Sequence, residues 1–413
     1  MYKESEQSSL KQLFQEEFSK MVAVISNHFG LKHIETAEDI VSETFLQATE
    51  AWGIKGMPEN PPAWLYAVAK QKTLYYFRRN KIFEQKIIPE LKSGQEKHSY
   101  IEELNFSQQN IKDSQLQMLF AICTPAIASE AQIGLALRIL CGFGIDEIAE
   151  AFLSNKETIN KRLFRAKEKL RGERIKMELP PESEITGRLD NVLHIIYLLF
   201  SEGYYSKTKN QVLRKELCFE AMRLSLMLTE YERTNSPENN ALMALMCFHA
   251  SRFDARHTTE NAMVLYEEQD ETLWDQHLIN RGKYFLNLSA QGNEISSYHL
   301  EAGIAFWHCT KNDSGYKWEE ILKLYDKLML VNFSPSVALN RIFALYKAKG
   351  SHAALEQVHQ FEFGNNHFYF LLLGELYRDI DRTKSKSYLE NAFALAKTQV
   401  EKQIIMEKMK KLG

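Results

Sequence analysis

The chain has 413 residues, a formal net charge of −3 and five scattered cysteines, Cys123, Cys141, Cys218, Cys247 and Cys309. A near-neutral balance excludes a polycation, so any nucleic-acid surface must be local. Five cysteines without a CxxC pair argue against a disulfide framework or zinc ribbon and for reduced, buried thiols. No apolar run approaches the roughly 20 residues that span a bilayer, and the polar start MYKESEQSSLKQLFQEEF is unlike a signal peptide. A soluble, cytoplasmic protein with no membrane partner is expected.

Prolines and glycines are few, and apolar residues recur at helical spacings with no run of alternating strands. The expected fold is therefore all-α. A first helical block runs from about Ser9 to Arg79, broken by GIKGMPENPP at Gly53 to Pro62. Within it, AEDIVSETFLQATEAW places Val41, Phe45, Ala48 and Trp52 on one face and Asp39, Glu43, Gln47 and Glu50 on the other. The acidic face repels phosphate; it suits either solvent or a basic protein partner. PPAWLYAVAKQKTLYYFRRNK then opens on Pro61-Pro62, with Pro62 suited to a first turn. It interleaves Trp64, Tyr66, Tyr75, Tyr76 and Phe77 with Lys70, Lys72, Arg78, Arg79 and Lys81. Aromatics beside cations suit single-stranded nucleic acid, where bases stack on rings and cations follow the backbone. Trp64, Leu65 and Val68 also fit a core.

A polar connector follows, to about Lys112, with little periodicity; it reads as a linker that need not fold alone. A second compact block spans about Ser114 to Arg174. Its end, EIAEAFLSNKETINKRLFRAKEKLR, contains two helices joined by a short break. Asp146 stands in the first turn or cap of the first helix. Leu153-Ser154-Asn155 forms the break, and Asn155 suits the N-cap of the second. There, Ile159, Leu163, Ala166 and Leu170 define one buried stripe. Lys156, Asn160, Lys161, Arg165 and Lys167 fall largely outside it. With AQIGLALRILCGF supplying a third helix, this is the helix-turn-helix plan, whose second helix enters a major groove. Asn160 suits adenine and Lys161 suits guanine, while later cations meet phosphates.

MELPPESE at Met177 to Glu184 marks a boundary. Beyond it the sequence looks like successive helical hairpins. Tyr346 and Tyr377, each followed by a polar turn and an Ala-rich helix, stand nearly one tetratricopeptide period apart. Ser385 breaks the match where a small Ala is usual. A solenoid is expected. No G-x-S-x-G, P-loop or H-E-x-x-H occurs, so no enzyme activity, catalytic residue, cofactor or metal is expected. His249 and His257, near Arg252 and Asp254, form no clear ligand set.

The two N-terminal blocks in this order resemble an extracytoplasmic-function (ECF) sigma factor of the sigma-70 family. DIVSETFLQA and PPAWLYAVAKQKTLYYFRR resemble sigma region 2, and ALRILCGFGIDEIAEAFLSNKETINKRLFRAKEKLR resembles region 4. RLDNVLHIIYLLFSEGYYS, WDQHLINRG and YDKLMLVNFSPSVALNRIFAL resemble the tetratricopeptide-like extension of one ECF subgroup.

The resemblance implies four segments: region 2 at 9–82, a linker at 83–112, region 4 at 113–176 and a helical regulatory domain at 177–413. It implies an alternative sigma factor whose partners are the β′ clamp helices and β flap of core RNA polymerase and promoter DNA, with a possible regulatory protein at the C-terminal domain. Asp39, Glu43 and Phe45 would meet polymerase. Trp64, Lys70, Lys72, Tyr75, Tyr76, Arg78 and Arg79 would serve the −10 element. Lys156, Thr158, Asn160, Lys161, Arg162, Arg165 and Lys167 would serve the −35 element. Gln71 stands where many relatives carry Asn, Ser201 replaces a more usual Asn, and AICTPAI lacks a His before its proline. The rival reading is a stand-alone helix-turn-helix regulator with a helical sensor domain, which would bind duplex DNA without polymerase. A helical scaffold is a further alternative.

Overall fold

The computed structural model describes residues 2–87, 104–173, 175–205, 211–256, 264, 266–311, 314–361, 364, 366–397 and 399–412. They form helices and turns with no strand among them. The chain divides into two compact units, Met1–Thr234 and Asn235–Gly413.

In the first unit, α1 (Tyr2–Phe29), α2 (Ile34–Lys55) and α3 (Pro61–Ile87) form the first block. The caps follow from sequence. Gly56, at φ 79°, ends α2 in a conformation that L side chains rarely adopt. Asn60 Oδ1 accepts from the Ala63 N–H at 3.1 Å, just before the Pro61-Pro62 start of α3. Phe18, Met21, Val22 and Ile25 on α1 are fully buried. The second block comprises α4 (Gln108–Ile122), α5 (Ser129–Leu135), α6 (Ile145–Ala151) and α7 (Lys156–Gly172). A π-helical turn, Ala136–Leu140, continues α5.

The blocks are joined directly. Asn27 Nδ2 donates to Ser114 Oγ at 3.0 Å and Gln115 Nε2 to Ser19 Oγ at 3.2 Å, binding α1 to α4. Leu104 and Ile111 are buried with Val24, and Phe106 stacks on Tyr66 at 5.1 Å. Gly142, at φ 71°, lies so close to α1 that a Cβ would stand 3.2 Å from the Gln15 carbonyl oxygen. The expected linker therefore differs at both ends. α3 carries helix through Ile87, and 104–112 folds because Leu104 and Ile111 find apolar partners on α1. Its middle, 88–103, lies outside the described residues.

The proline-marked segment at Met177 to Glu184 lies inside the first unit, which continues through α8 (Glu182–Tyr204) and α9 (Gln211–Thr229) to Thr234. The reason is hydrogen bonding to helix ends, whose carbonyls lack intrahelical partners. Arg188 Nη2 donates to the Phe120 carbonyl at 2.5 Å, and Asn191 Nδ2 to the Cys123 carbonyl at 2.9 Å. Arg223 Nη2 donates to the Leu140 carbonyl at 2.7 Å. Tyr231 OH reaches Asp113 at 2.6 Å. Within SEGYYS, Gly203 permits the close α8–α9 approach: a Cβ there would lie 2.6 Å from the Arg214 carbonyl oxygen.

In the second unit, helices follow one another in order: α10 (Pro237–Ala250), α11 (Gln276–Ser289), α12 (Ser297–Trp307), α13 (Gly315–Val331), α14 (Pro335–Lys349), α15 (Ser351–Val358), α16 (His367–Tyr377), α17 (Arg382–Leu395) and α18 (Gln399–Lys410). Successive hairpins bury Ile321, Leu345 and Leu328, then Ile342, Leu373 and Leu376, then Leu389 and Ile405. Caps repeat, with Ser236 before Pro237 and Ser334 before Pro335 at helix starts. Ser385 is buried and donates its hydroxyl to the Gly374 carbonyl at 2.7 Å. A small side chain is needed there, and the hydroxyl is satisfied within the α16–α17 hairpin. His249 lies beside Arg252, Arg256 and His308, and desolvation first, then those charges, hold its pKa well below the ordinary range. His257 lies outside the described residues.

Candidate nucleic-acid interface

α7 is built as its local pattern dictates. Asn155 Oδ1 accepts from the Thr158 N–H at 2.8 Å. Ile159, Leu163, Ala166 and Leu170 are buried. The preceding break turns at Leu153, whose φ of 47° is the one positive value at a non-glycine among the described residues. α6 takes the first-turn alternative for Asp146. Its N-cap is Gly144, Glu147 Oε2 accepts from the Gly144 N–H at 2.8 Å, and Asp146 sits in the first turn.

The expected −35 residues separate into two groups. Lys156, Thr158, Asn160, Lys161 and Arg165 are exposed. Lys156 pairs with Asp146 at 2.5 Å and Lys161 with Glu157 at 2.6 Å, both in open surroundings where such pairs are weak. Arg162 is half-buried, pairs with Glu130 at 3.2 Å and lies over the Phe152 ring. Lys167 is different: its side chain is 11 % exposed and donates to Glu38 on α2. Phe164, which sequence reading passed over, is 57 % exposed beside Asn160 and Lys161. Its signal was its helical spacing, three and four residues beyond that pair.

On α3, Tyr75, Tyr76, Arg78 and Arg79 are exposed past its midpoint. Lys70 is half-buried. Lys72 lies 3.4 Å from Glu43 across α2. Trp64 packs edge-on against Trp52 at 5.3 Å, and Leu65 is fully buried. Phe77, between the tyrosines and arginines, stacks on Phe29 at 3.6 Å and so anchors this part of α3 to α1. The side chain of Lys81 lies outside the described residues.

On α2, Asp39 and Glu43 are exposed. Asp39 has its pKa raised, by partial burial first and then by Glu38, Glu35 and Glu43. This is a dense acidic face. Phe45, expected there too, is only 5 % exposed and meets Phe14 edge-on at 4.9 Å. Its helical phase puts it with Val41 and Ala48 in the core, so it shapes α2 from beneath.

Comparison with known proteins finds a family model over the first block. The sigma-70 region 2 family model matches residues 13–82, which hold α2 and most of α1 and α3. A family of unknown function (DUF6596) matches residues 188–290. The N-terminal block thus matches region 2 of sigma-70 family factors, a family whose region 2 binds core RNA polymerase and promoter DNA. The chain belongs to one family with an uncharacterized protein of Rhizobium meliloti (strain 1021), 32 % identical over 371 residues that cover 88 % of this chain and 87 % of that protein. No solved structure matches the chain significantly. Among the described residues, no helix is long and apolar enough to cross a membrane. Among the same residues, no group of three or more His, Cys, Asp or Glu could hold a metal ion.

Proposed function

We propose that this protein is an alternative sigma factor of the ECF type, which binds core RNA polymerase and directs initiation at promoters with −35 and −10 elements. The carrying observation is the pairing of a sigma-70 region 2 at 13–82 with a helix-turn-helix whose second helix bears exposed Lys156, Asn160, Lys161 and Arg165. The acidic face of Asp39 and Glu43 on α2 meets the β′ clamp helices. Tyr75, Tyr76, Arg78 and Arg79 meet the −10 strand: rings stack on opened bases and guanidinium groups follow phosphates. Trp64 holds the base of α3, and Lys70 and Lys72 contribute charge along it. The amino half of α7 reads the −35 major groove, with Phe164 available to an apolar base edge.

Two modest DNA surfaces on one chain gain strength when polymerase holds both, through effective concentration. That fits a molecule of near-neutral total charge. The ordered hairpins of the second unit serve as a tetratricopeptide-like regulatory surface for a protein partner.

The test is complex formation with bacterial core RNA polymerase, measured by co-elution of the full chain, of Asp39→Lys/Glu43→Lys and of residues 1–234. The full chain and residues 1–234 are expected to co-elute, and the double reversal to fall off. Binding of duplex DNA as a dimer, with no polymerase complex, would replace this reading by the stand-alone regulator.

A further inference from the structure

We infer that Glu35 and Glu38 act as an internal phosphate mimic, holding the carboxyl half of α7 on α2 until core polymerase takes α2. The inference rests on the sigma-factor reading above. Glu38 is buried, its side chain 7 % exposed, and both its oxygens are used. Oε1 accepts from Arg138 Nε at 3.0 Å, and Oε2 accepts from Lys167 Nζ. Beside them, Glu35 Oε2 accepts from Arg171 Nη2 at 2.9 Å. Three cations of the second block thus converge on two carboxylates of the first. Arg138 is aimed by the π-helical turn; its Nη1 also donates to the Phe143 carbonyl at 3.1 Å, and its guanidinium lies over the Phe18 ring.

The arrangement has two consequences. A carboxylate and a phosphate offer a cation the same kind of charge-assisted acceptor. Lys167 and Arg171, held by Glu38 and Glu35, are therefore withheld from DNA, whose binding strength depends on the number of phosphates neutralised. The same contact covers Glu35 and Glu38, which lie on the helix that carries Asp39 and Glu43. Separation of α7 from α2 releases two cations to a DNA-facing helix and adds two carboxylates to the polymerase-facing one. One movement completes both surfaces. Arg171 keeps a second acceptor through it, since Glu168 lies 2.9 Å away on α7 itself.

Lysine acetylation read by mass spectrometry tests this on the full chain, with exposed Lys161 as internal reference. In the free protein, Lys167 is expected to label roughly tenfold or more slowly than Lys161, as a buried paired ammonium should. The rim pair supplies variants that spare the core. Glu35→Arg and Arg171→Glu are each expected to speed Lys167 labelling by about two- to fivefold, the range of a partly exposed ion pair. The double variant E35R/R171E restores the pair with its charges exchanged and should return the wild-type rate. Core polymerase without DNA is expected to raise Lys167 labelling to near that of Lys161. Equal labelling of the two lysines in the free chain would overturn the inference. So would protection of Lys167 that persists in an isolated polymerase complex, or a double variant no slower than the singles. Failure to form any polymerase complex would instead count against the sigma-factor reading, and the swap series in the free chain would still judge the contact.

Discussion

At the amino end of α7, Lys156 and Lys161 stand in solvent and pair with acids of α6 and of α7 itself, at exposed sites. At the carboxyl end, Lys167 and Arg171 reach across to α2, and Lys167 is nearly buried. Two pairs of cations on one helix thus have different physical standing. Exposed pairs contribute little and exchange easily for a phosphate. A buried pair is costly to break from one side, because the remaining charge is stranded. On the proposed reading, the amino half is ready to read DNA as it stands, and the carboxyl half must first be released.

Substitutions can break this contrast in a graded way. Glu38→Ala leaves Arg138 and Lys167 without their shared acceptor. It is expected to destabilise the first unit by about 3–5 kcal/mol in urea unfolding, the range for removing one partner of a buried pair. A loss below about 1 kcal/mol would mean the pair is solvated. Arg165→Ala acts at the open end. It is expected to cost about 1–3 kcal/mol of −35 duplex binding in the polymerase complex, with the melting temperature unchanged.

The second unit handles buried charge by a third route, proton loss, and so sharpens the comparison. Burial first, then Arg252 and Lys317, push the pKa of His308 down to about 3, and His249 is shifted the same way. The unfolded chain takes up these protons as pH falls through the ordinary value near 6.5, while the folded chain does not. Stability of the second unit should therefore be full above pH 6.5 and fall below it, by at most about 1.4 kcal/mol per pH unit per histidine. His308→Gln should flatten the thermal-melting profile between pH 6.5 and 5; an unchanged profile would refute the assignment. The smallest effect is on stability at Lys161→Ala, about 0.5 kcal/mol or less, since its partner Glu157 is one turn away and exposed. A shift of several degrees in melting temperature would place Lys161 with Lys167.

What could be read from sequence follows the range of the interactions. The buried stripe of α7 and the cap at Asn155 are set by neighbours within four residues, and periodicity found both. The contact at Glu38 joins residues 100 and 129 positions apart. By local rules an acidic helix face suits solvent or a basic partner, and nothing in α2 alone names Arg138 and Lys167 of its own chain as the partners of Glu38. Lys167 was placed outside the buried stripe, correctly in phase, yet a second helix covers it. Phe45 shows the opposite case: its phase put it on the apolar face, while the family resemblance assigned it to the partner surface, and packing against Phe14 agrees with the phase. Pro180 and Pro181 marked a break in the helices without marking the edge of a unit. The reach of Arg188, Asn191 and Arg223 to distant carbonyls, with Tyr231 to Asp113, ties α8 and α9 into the first unit. A truncation meant to isolate the DNA-binding part belongs after Thr234, where the contacts divide, and not after Lys176.

Run-off transcription on a pool of genomic promoter fragments, with core polymerase alone, the protein alone and the two together, tests the central claim most directly. Discrete transcripts are expected only from the mixture, with start sites sharing −10 and −35 sequences and with Arg165→Ala reducing them. Absence of transcripts from a mixture whose polymerase transcribes normally with another sigma factor would contradict the account.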